Sequence, residues 1–181
     1  MIPFPNKKYN IIYADPAWTF KNWNKDQEKV LRKVPYATMK DEDIKNLPVK
    51  NITDNNCILF LWVTYPKLLD GIETIKSWGF EYKTCGFSWI KKNKKSNSLF
   101  MGMGYWTRSN NEICLLATKG KPKKISSSVH QVVYEPIREH SRKPDCVRDR
   151  IVELCGDLPR IELFARQKVD GWDCWGNEIN E

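Results

Sequence analysis

The sequence has little of what builds metal centres or disulfide-stapled folds. Only two of its 181 residues are histidine, and its six cysteines lie far apart with no C-x-x-C pair. A zinc site and a small disulfide framework are therefore not expected, and we predict that no metal is bound. Unpaired cysteines favour a reducing compartment, so we expect a cytoplasmic protein.

Long hydrophobic runs are absent as well. The N-terminal residues contain no apolar segment of signal-peptide length, and nothing later in the chain approaches the length of a membrane span. We therefore expect neither export nor contact with a membrane. Because the chain has no internal repeat, low-complexity tract or linker, its length predicts a single domain over residues 1–181.

What the sequence does have is positive charge. The formal net charge is +8, which favours a polyanionic partner, because lysine and arginine side chains release counterions when they neutralise a phosphate backbone. Much of the charge lies in two clusters, Lys91, Lys92, Lys94 and Lys95 in the first and Lys119, Lys121, Lys123 and Lys124 in the second. Each cluster is equally consistent with a solvated loop.

Apolar segments of strand length alternate with segments of helical periodicity. The pattern predicts strands at residues 9–14, 57–63, 80–90, 112–118 and 160–165, and helices at residues 66–78 and 144–154. Such alternation is typical of an open, mostly parallel α/β sheet, which binds its ligands at the carboxyl ends of the strands. Trp62, Trp78, Trp89, Cys57 and Cys114 fall on these elements and are expected in the core.

The sequence Asp15-Pro16-Ala17-Trp18 directly follows the first predicted strand. A carboxylate and main-chain carbonyls at this position are suited to accept hydrogen bonds from an exocyclic amine, and an indole ring offers a face on which a base can stack. The alternative interpretation is a strand-ending turn whose tryptophan packs in the core. Composition alone leaves both interpretations open.

The tetrapeptide resembles the Asp-Pro-Pro-Trp signature of the MT-A family of adenine-N6 methyltransferases. This family includes the catalytic subunit of the messenger-RNA adenosine methyltransferase and many phage and bacterial DNA-modifying enzymes. Three further blocks resemble family motifs in the same order, at residues 35–48, 141–145 and 161–178. The resemblance therefore covers most of the chain.

The resemblance implies a Rossmann-like class I methyltransferase sheet with helices on both faces, bound to S-adenosylmethionine. It also implies a permuted, beta-type motif order in which the catalytic turn comes early and the cofactor-binding strand comes last. This order accounts for the absence of a G-x-G-x-x-G sequence after any predicted strand.

Family motifs also imply roles for individual residues near the target base. Asp15 would face both the target amine and the methionine end of the cofactor, and the backbone of Pro16 and Ala17 would help to hold the amine. Trp18 would stack on the flipped base, with Tyr36 close to the substrate. Alanine replaces the second proline of the signature, which removes stiffness but keeps the main-chain carbonyl.

For the cofactor, the resemblance implies contacts from the two later blocks. Lys143 would meet its carboxylate, and Phe164 and Arg166 would flank its adenosine part. Asn177 and Glu178 would bind the ribose or the adenine. No metal is implied.

Residues 91–108 combine the first lysine cluster with large aromatic side chains. We expect this segment to be a loop that holds a nucleic-acid strand, with Tyr105, Trp106 and Arg108 contacting the substrate.

Together these observations predict methyl transfer from S-adenosylmethionine to the 6-amino group of adenine in DNA, in the cytosol of a bacterium or a phage-infected host. Two alternatives stay open: adenine methylation of RNA, and a catalytically silent nucleic-acid-binding subunit. DNA is favoured because short members of the family without RNA-binding modules resemble DNA-modifying enzymes. A homodimer is possible.

Overall fold

A computed structural model describes residues 3–19, 39–102, 104, 106–139 and 142–179. In these residues seven strands form one sheet in the order β5-β3-β4-β2-β1-β6-β7. The strands are β1 (Tyr9–Ala14), β2 (Thr53–Val63), β3 (Glu81–Lys92), β4 (Asn111–Lys119), β5 (Val132–Pro136), β6 (Arg160–Leu163) and β7 (Asp173–Trp175).

Three helices flank the sheet: α1 (Asp41–Lys45), α2 (Leu68–Ser77) and α3 (Cys146–Cys155). Short 3-10 turns cover Val49–Ile52 and Tyr65–Lys67. Helix α2 ends at Ser77, and Gly79 then takes a φ of +83° that favours glycine. None of the helices in the described ranges has the length and apolar character to cross a membrane.

The helices cover both faces of the sheet, as predicted. On one face Ile44, Ile75 and Trp78 join a core with alternate residues of the central strands. On the other face α3 contributes Val147 and Ile151 to a second core. Burial on both faces explains why residues 57–63 of β2 form a continuous apolar run.

Strand β4 runs against its neighbours. It pairs antiparallel with both β2 and β3, whereas the other described pairings, those of β1, β6, β7 and β5, are parallel. The predicted mostly parallel sheet is thus confirmed only in part. Because of the reversal, Asn111 at the start of β4 lies beside Ile90 near the end of β3, at the edge where the parallel strands terminate.

The α/β fold class is confirmed, and the predicted strands and helices correspond to β1, β2, β3, β4, β6, α2 and α3. Trp62, Trp78 and Trp89 are almost fully buried, as expected. The sequence pattern missed the short elements α1, β5 and β7. All six cysteines are unpaired, and Cys57 and Cys114 are buried.

Candidate active site

Asp15 occupies the corner where β1 ends, between the ends of β2 and β6. Its backbone N–H lies 3.5 Å from the carbonyl oxygen of Leu163. Its carboxylate contacts the ammonium of Lys143, with Nζ at 2.9 Å from Oδ1 and 3.0 Å from Oδ2. Lys143 comes just before α3, so the predicted catalytic turn and the third motif block meet at one point of the sheet edge.

Lys143 also contacts a second carboxylate. Its Nζ lies 3.1 Å from Oε2 of Glu112 in β4, and Oε1 of Glu112 accepts a hydrogen bond from Lys91 at the end of β3. The side chains of Lys143 and Glu112 are each only 10% exposed. Asp15, Lys143, Glu112 and Lys91 therefore form a row of alternating charges, which we call the charged row.

Burial and pairing act in opposite directions on the acids of this row. Burial raises the pKa of Asp15 above its ordinary value, and the nearby ammonium of Lys143 offsets only part of the increase. For Glu112, burial also raises the pKa, but two cations, Lys143 and Lys91, outweigh it and the net pKa is lowered. The pKa of Lys143 is raised, because its two carboxylate partners outweigh the effect of burial.

A cavity of about 310 Å³ opens on one side of Asp15. This volume is at the lower end of those found for small-molecule sites. Acidic, basic and aromatic groups alternate in its wall, which is formed by Tyr13, Asp15, Glu139, Arg142, Lys143, Arg148, Glu162, Phe164, Arg166, Gln167 and Glu178.

A smaller cavity of about 60 Å³ adjoins it. The two cavities share Asp15, Lys143 and Arg166. The hydroxyl of Thr64, a further residue of the smaller wall, is buried and has no hydrogen-bond partner in the part of the chain that the structure describes. The remaining wall residues are Pro16, Ala17, Trp18, Trp62, Val63 and Glu112. The carboxylate of Asp15 thus stands between two spaces.

Trp18 is 5% exposed and belongs to the core, yet it also lines the smaller cavity. Its indole N–H donates to the carbonyl oxygen of Trp62 at 3.0 Å, and the indole of Trp62 donates to the hydroxyl of Tyr13 at 2.7 Å. The structure thus combines both interpretations of this tryptophan, as a core residue and as a cavity wall. That a base stacks on it stays a prediction.

The turn itself is held by backbone hydrogen bonds. The N–H of Trp18 donates to the carbonyl of Pro16 at 2.9 Å, and the N–H of Met39 donates to the carbonyl of Ala17 at 3.1 Å. A carbonyl oxygen has two lone pairs, so each retains the capacity for one further hydrogen bond. The second bond also ties residue 17 to a distant segment, which restores some of the stiffness lost with the second proline.

The end of β6 presents the predicted cofactor residues. Phe164 adopts a φ of +62°, unusual for a bulky side chain, and its ring meets that of Trp175 edge-on at 5.5 Å. Gly176 approaches so closely that a Cβ there would lie 2.4 Å from the carbonyl oxygen of Ala165. This tight crossing turns Phe164 and Arg166 toward the larger cavity.

The last motif block reaches the cavity only in part. Glu178 lines it, with Oε2 at 3.7 Å from Nε of Arg166. Asn177 is exposed and lines neither cavity. The predicted contact of Asn177 with the ribose or adenine stays a prediction that the geometry does not support.

Sequence reasoning missed a second ion pair in the wall. Arg148 of α3 binds Glu162 of β6 through two hydrogen bonds of 2.7 and 2.9 Å, and its third nitrogen binds Asp145 at 2.9 Å. Burial raises the pKa of Glu162, although Arg148 opposes the increase. In the sequence, Glu162 could have been noticed as a lone charged residue inside an apolar strand. Glu112, which was also missed, is the first residue of the predicted apolar strand 112–118.

Of the predicted substrate residues outside the turn, the structure describes Trp106 and Arg108. Tyr36 and Tyr105 lie outside the described residues. Trp106 is 99% exposed and Arg108 is also exposed, and neither lines a cavity. Lys91, expected in the strand-holding loop, instead lies in β3, next to its last residue, and pairs with Glu112.

Comparison with known proteins identifies the family. The sequence profile of the MT-A70 family matches residues 9–178. The chain belongs to this methyltransferase family. The match confirms the resemblance inferred from the four motif blocks, and it covers β1 to β7.

Among its relatives, the Type II methyltransferase M.MunI of a Mycoplasma species is 36% identical over 192 residues, covering 97% of this chain and 79% of that protein. The human N(6)-adenosine-methyltransferase catalytic subunit METTL3 is 28% identical over 96% of this chain and 28% of its own length. An N(6)-adenosine-methyltransferase MT-A70-like protein of Arabidopsis thaliana is 29% identical over 95% of this chain and 24% of its own length. The chain therefore spans about a quarter of these two eukaryotic relatives.

Proposed function

We propose that this MT-A70 protein transfers a methyl group from S-adenosylmethionine to the exocyclic 6-amino group of adenine in DNA. The observation that carries the proposal is the position of Asp15, whose carboxylate borders both cavities. A methyl transfer needs such a shared wall, because donor and acceptor must approach from opposite sides of the reacting carbon. We assign the larger cavity to the cofactor and the smaller one to the target amine.

The residues of the larger cavity fit the cofactor. S-adenosylmethionine supplies a methyl carbon made electrophilic by a positively charged sulfur. Cationic Lys143 and Arg166 match its carboxylate, Asp15 and Glu178 match its positive charge and hydroxyl groups, and the ring of Phe164 matches its adenosine part. A wall with only one sign of charge would not satisfy all these groups.

Asp15 and the turn carry the reaction on the target side. The carboxylate and the carbonyl of Pro16 accept hydrogen bonds from the amine, which favours its pyramidal, attacking form. Positive charge would develop on the nitrogen as it gains a bond to carbon and the bond from that carbon to sulfur breaks. The ionised carboxylate of Asp15 would stabilise this charge until the nitrogen releases its surplus proton to solvent. The hydroxyl of Thr64, buried in the wall of the smaller cavity and without a partner among the described residues, would bond a ring nitrogen of the base. Trp18 would supply the stacking surface.

The target base must leave its stack to reach this turn, whether it starts in a duplex or a single strand. The smaller cavity, about 60 Å³, also has to widen to admit the base. We infer that segment 93–110, which begins next to the charged row, holds the strand while the base enters.

DNA is favoured over RNA by the pattern of coverage. The chain matches most of the length of M.MunI, a type II methyltransferase, but only a small part of the N(6)-adenosine-methyltransferases. Adenine methylation of RNA is the second candidate, and the similarity to the N(6)-adenosine-methyltransferases supports it. A silent subunit is disfavoured, since it has no need of a carboxylate such as that of Asp15 between two cavities. We further propose that residues 1–181 form one domain that acts in the cytoplasm, alone or as a homodimer.

The test is methyl transfer from radiolabelled S-adenosylmethionine to DNA and RNA oligonucleotides of matched sequence. We expect label in DNA, recovered as N6-methyladenine after digestion. Asp15→Asn keeps the size of the side chain but removes its charge, and it should lower the rate at least about 100-fold. Asp54→Asn is the matched control and should keep the wild-type rate, because Asp54 lies near the start of β2, at the end of the strand away from the cavities.

Two results would contradict the proposal. Equal incorporation by wild type and Asp15→Asn would remove the assigned mechanism. Incorporation into RNA alone would replace the DNA substrate with the second candidate.

A further inference from the structure

The charged row extends beyond the groups that the proposed reaction uses. Asp15 and Lys143 border both cavities, and Glu112 borders the smaller one. Lys91 lies in the wall of neither cavity, yet it contacts Glu112 at the far end of the row. Any effect of Lys91 on the two cavities is therefore exerted through Glu112.

Lys91 is held in place more firmly than a surface lysine. Its side chain is 16% exposed, and its ammonium lies 5.1 Å from the centre of the Trp89 ring. Its backbone N–H donates to Asn110 at 2.9 Å, and its carbonyl accepts from Phe100 at 2.8 Å. A long, flexible side chain with these constraints loses little further entropy when it holds a carboxylate.

The charges of the row explain what this contact does. Lys143 is shared by two carboxylates, that of the partly buried Asp15 and that of the buried Glu112. Without Lys91, the charge of Glu112 would be balanced by Lys143 alone. Lys143 would then shift toward Glu112 and stabilise the ionised form of Asp15 less.

We propose that Lys91 is a positioning residue for methyl transfer, which neutralises Glu112 so that Lys143 stays on Asp15. The catalytic part of this inference rests on the proposed function; its electrostatic part concerns the protein alone. Lys91 would keep Asp15 ionised, and thus able to accept the amine, at a lower pH than burial alone would allow.

Other groups around Asp15 belong to the elements packed against it, and the substitutions of Lys91 and Lys92 leave these groups in place. Lys143 precedes α3, Glu112 lies in β4, and Arg166 follows β6. In the part of the chain that the structure describes, Asp15 also has an electrostatic effect on Tyr13 in β1, Glu162 in β6 and Cys114 in β4.

The chain offers a matched control at the next position. Lys92 carries the same charge, but its ammonium binds Asn97 at 3.0 Å and lies 4.7 Å from the centre of the Tyr134 ring, away from Glu112. Lys91→Gln and Lys92→Gln therefore remove the same charge from neighbouring positions of one strand. Only the first variant breaks the charged row.

The first measurement is the titration of the Asp15 carboxyl carbon by NMR in the protein without cofactor or nucleic acid. We expect Lys91→Gln to raise the midpoint by about half a pH unit, because a nearby positive charge is lost from the row. Lys92→Gln should leave the midpoint unchanged, and Lys91→Arg should restore it. Glu112→Gln removes the competing carboxylate and should lower the midpoint.

The second measurement is the pH dependence of kcat for methyl transfer. Ionised Asp15 is the active form, so the rate falls as the pH drops through its pKa. Lys91→Gln should move this acid limb to higher pH by the same amount as the NMR midpoint, and change kcat more than KM. In a Glu112→Gln background the substitution of Lys91 should have no further effect, because the two residues act in series.

The two measurements separate the inference from the proposed function. An Asp15 midpoint that shifts equally in Lys91→Gln and Lys92→Gln, or in neither, overturns the inference even if the wild type is an active methyltransferase. A wild type that transfers no methyl group overturns the proposed function, while the NMR result still decides the electrostatic role. If Lys91→Gln folds poorly, Glu112→Gln alone still decides, because an Asp15 midpoint that does not fall in this variant overturns the inference.

Discussion

At the scale of single residues, the charged side chains in the wall of the larger cavity are stabilised by ion pairs, which replace the hydration that these side chains lose on burial. Arg148 and Glu162 are each about nine-tenths buried and meet through two parallel hydrogen bonds. A buried pair of this kind gains little over an apolar pair, but removing one partner leaves an uncompensated charge. Arg148 also lies over the ring of Tyr13, at 5.9 Å from its centre.

We therefore expect Arg148→Met to lower the free energy of unfolding by about 3 kcal/mol at pH 8. The loss should shrink at lower pH, because Glu162, whose pKa burial already raises, can then be protonated and cease to be an unpaired charge. Urea unfolding monitored at several pH values measures both effects.

Arg150→Met, on the same helix, is the control for this variant. Arg150 binds main-chain carbonyls of His130 and Val132 rather than a carboxylate, so its loss should cost only about 1 kcal/mol and show no such pH dependence. A deficit in Arg148→Met that is the same at every pH would contradict the assigned role of the pair.

Single residues of the site were predictable to the extent that they stand in contiguous motifs. Asp15, Lys143 and Arg166 were named from the sequence, and the structure brings them together at both cavities. Glu112 and Glu162 were not named, because a lone acid in an apolar strand reveals its partner only in three dimensions. Periodicity carries no information about contacts across the sheet.

At the scale of elements, the direction of β4 could not be read from the sequence. An apolar strand has the same composition whichever way it runs, and the prediction of ligands at carboxyl ends assumed parallel neighbours. Because β4 is antiparallel to β2 and β3, its amino end lies at the site. Glu112, near this end, therefore reaches the site. The short elements β5 and β7 were missed because three to five residues are too few to show a period.

The packing of α2 on the sheet depends on one glycine. A Cβ on Gly71 would lie 2.5 Å from Cγ1 of Val63 in β2. Alanine favours a helix over glycine by about 1 kcal/mol, but overpacking a tight core contact costs about 1 to 3 kcal/mol. The cost of overpacking should outweigh the gain in helix propensity, since the branched side chain of Val63 has little freedom to move.

Gly71→Ala is therefore expected to destabilise the protein by about 1 kcal/mol despite its better helix propensity. Chemical denaturation measures the change, with Ser77→Ala at the exposed end of α2 as the control that lacks the contact. A stabilised Gly71→Ala variant would show that α2 can move off the sheet at no cost.

At the scale of the whole molecule, the reversal of β4 also separates the two lysine clusters. The first cluster begins at the end of β3, at the edge that holds Asp15. The second begins at Lys119, which pairs with Cys57 near the opposite edge of the sheet. A nucleic-acid strand whose adenine reaches Asp15 therefore meets the first cluster, and the second is free to act as a solvated surface.

Trp106 is the most exposed aromatic side chain of the described residues and lies in the segment that follows the first cluster. If this segment holds the strand, Trp106→Ala should weaken binding of single-stranded adenine-containing DNA by about fivefold or more, the effect of losing one stacked base. Thermal stability should not change, because the ring makes almost no contact with the protein.

Binding is measured by fluorescence anisotropy at several salt concentrations. Ile125→Ala is the matched control, since Ile125 is also largely exposed but contacts the end of α3 at the opposite edge. Unchanged affinity of Trp106→Ala would remove this residue from the substrate contacts.

The interior thiols give the molecule a further property. Cys57 in β2, Cys114 in β4 and Cys155 at the end of α3 are buried on different elements, and burial raises the pKa of Cys57 and Cys155 to about 12. They are shielded and protonated while the sheet is intact, so an alkylating reagent modifies them only in molecules that have opened. The rate at which these thiols are alkylated therefore reports how often the sheet opens.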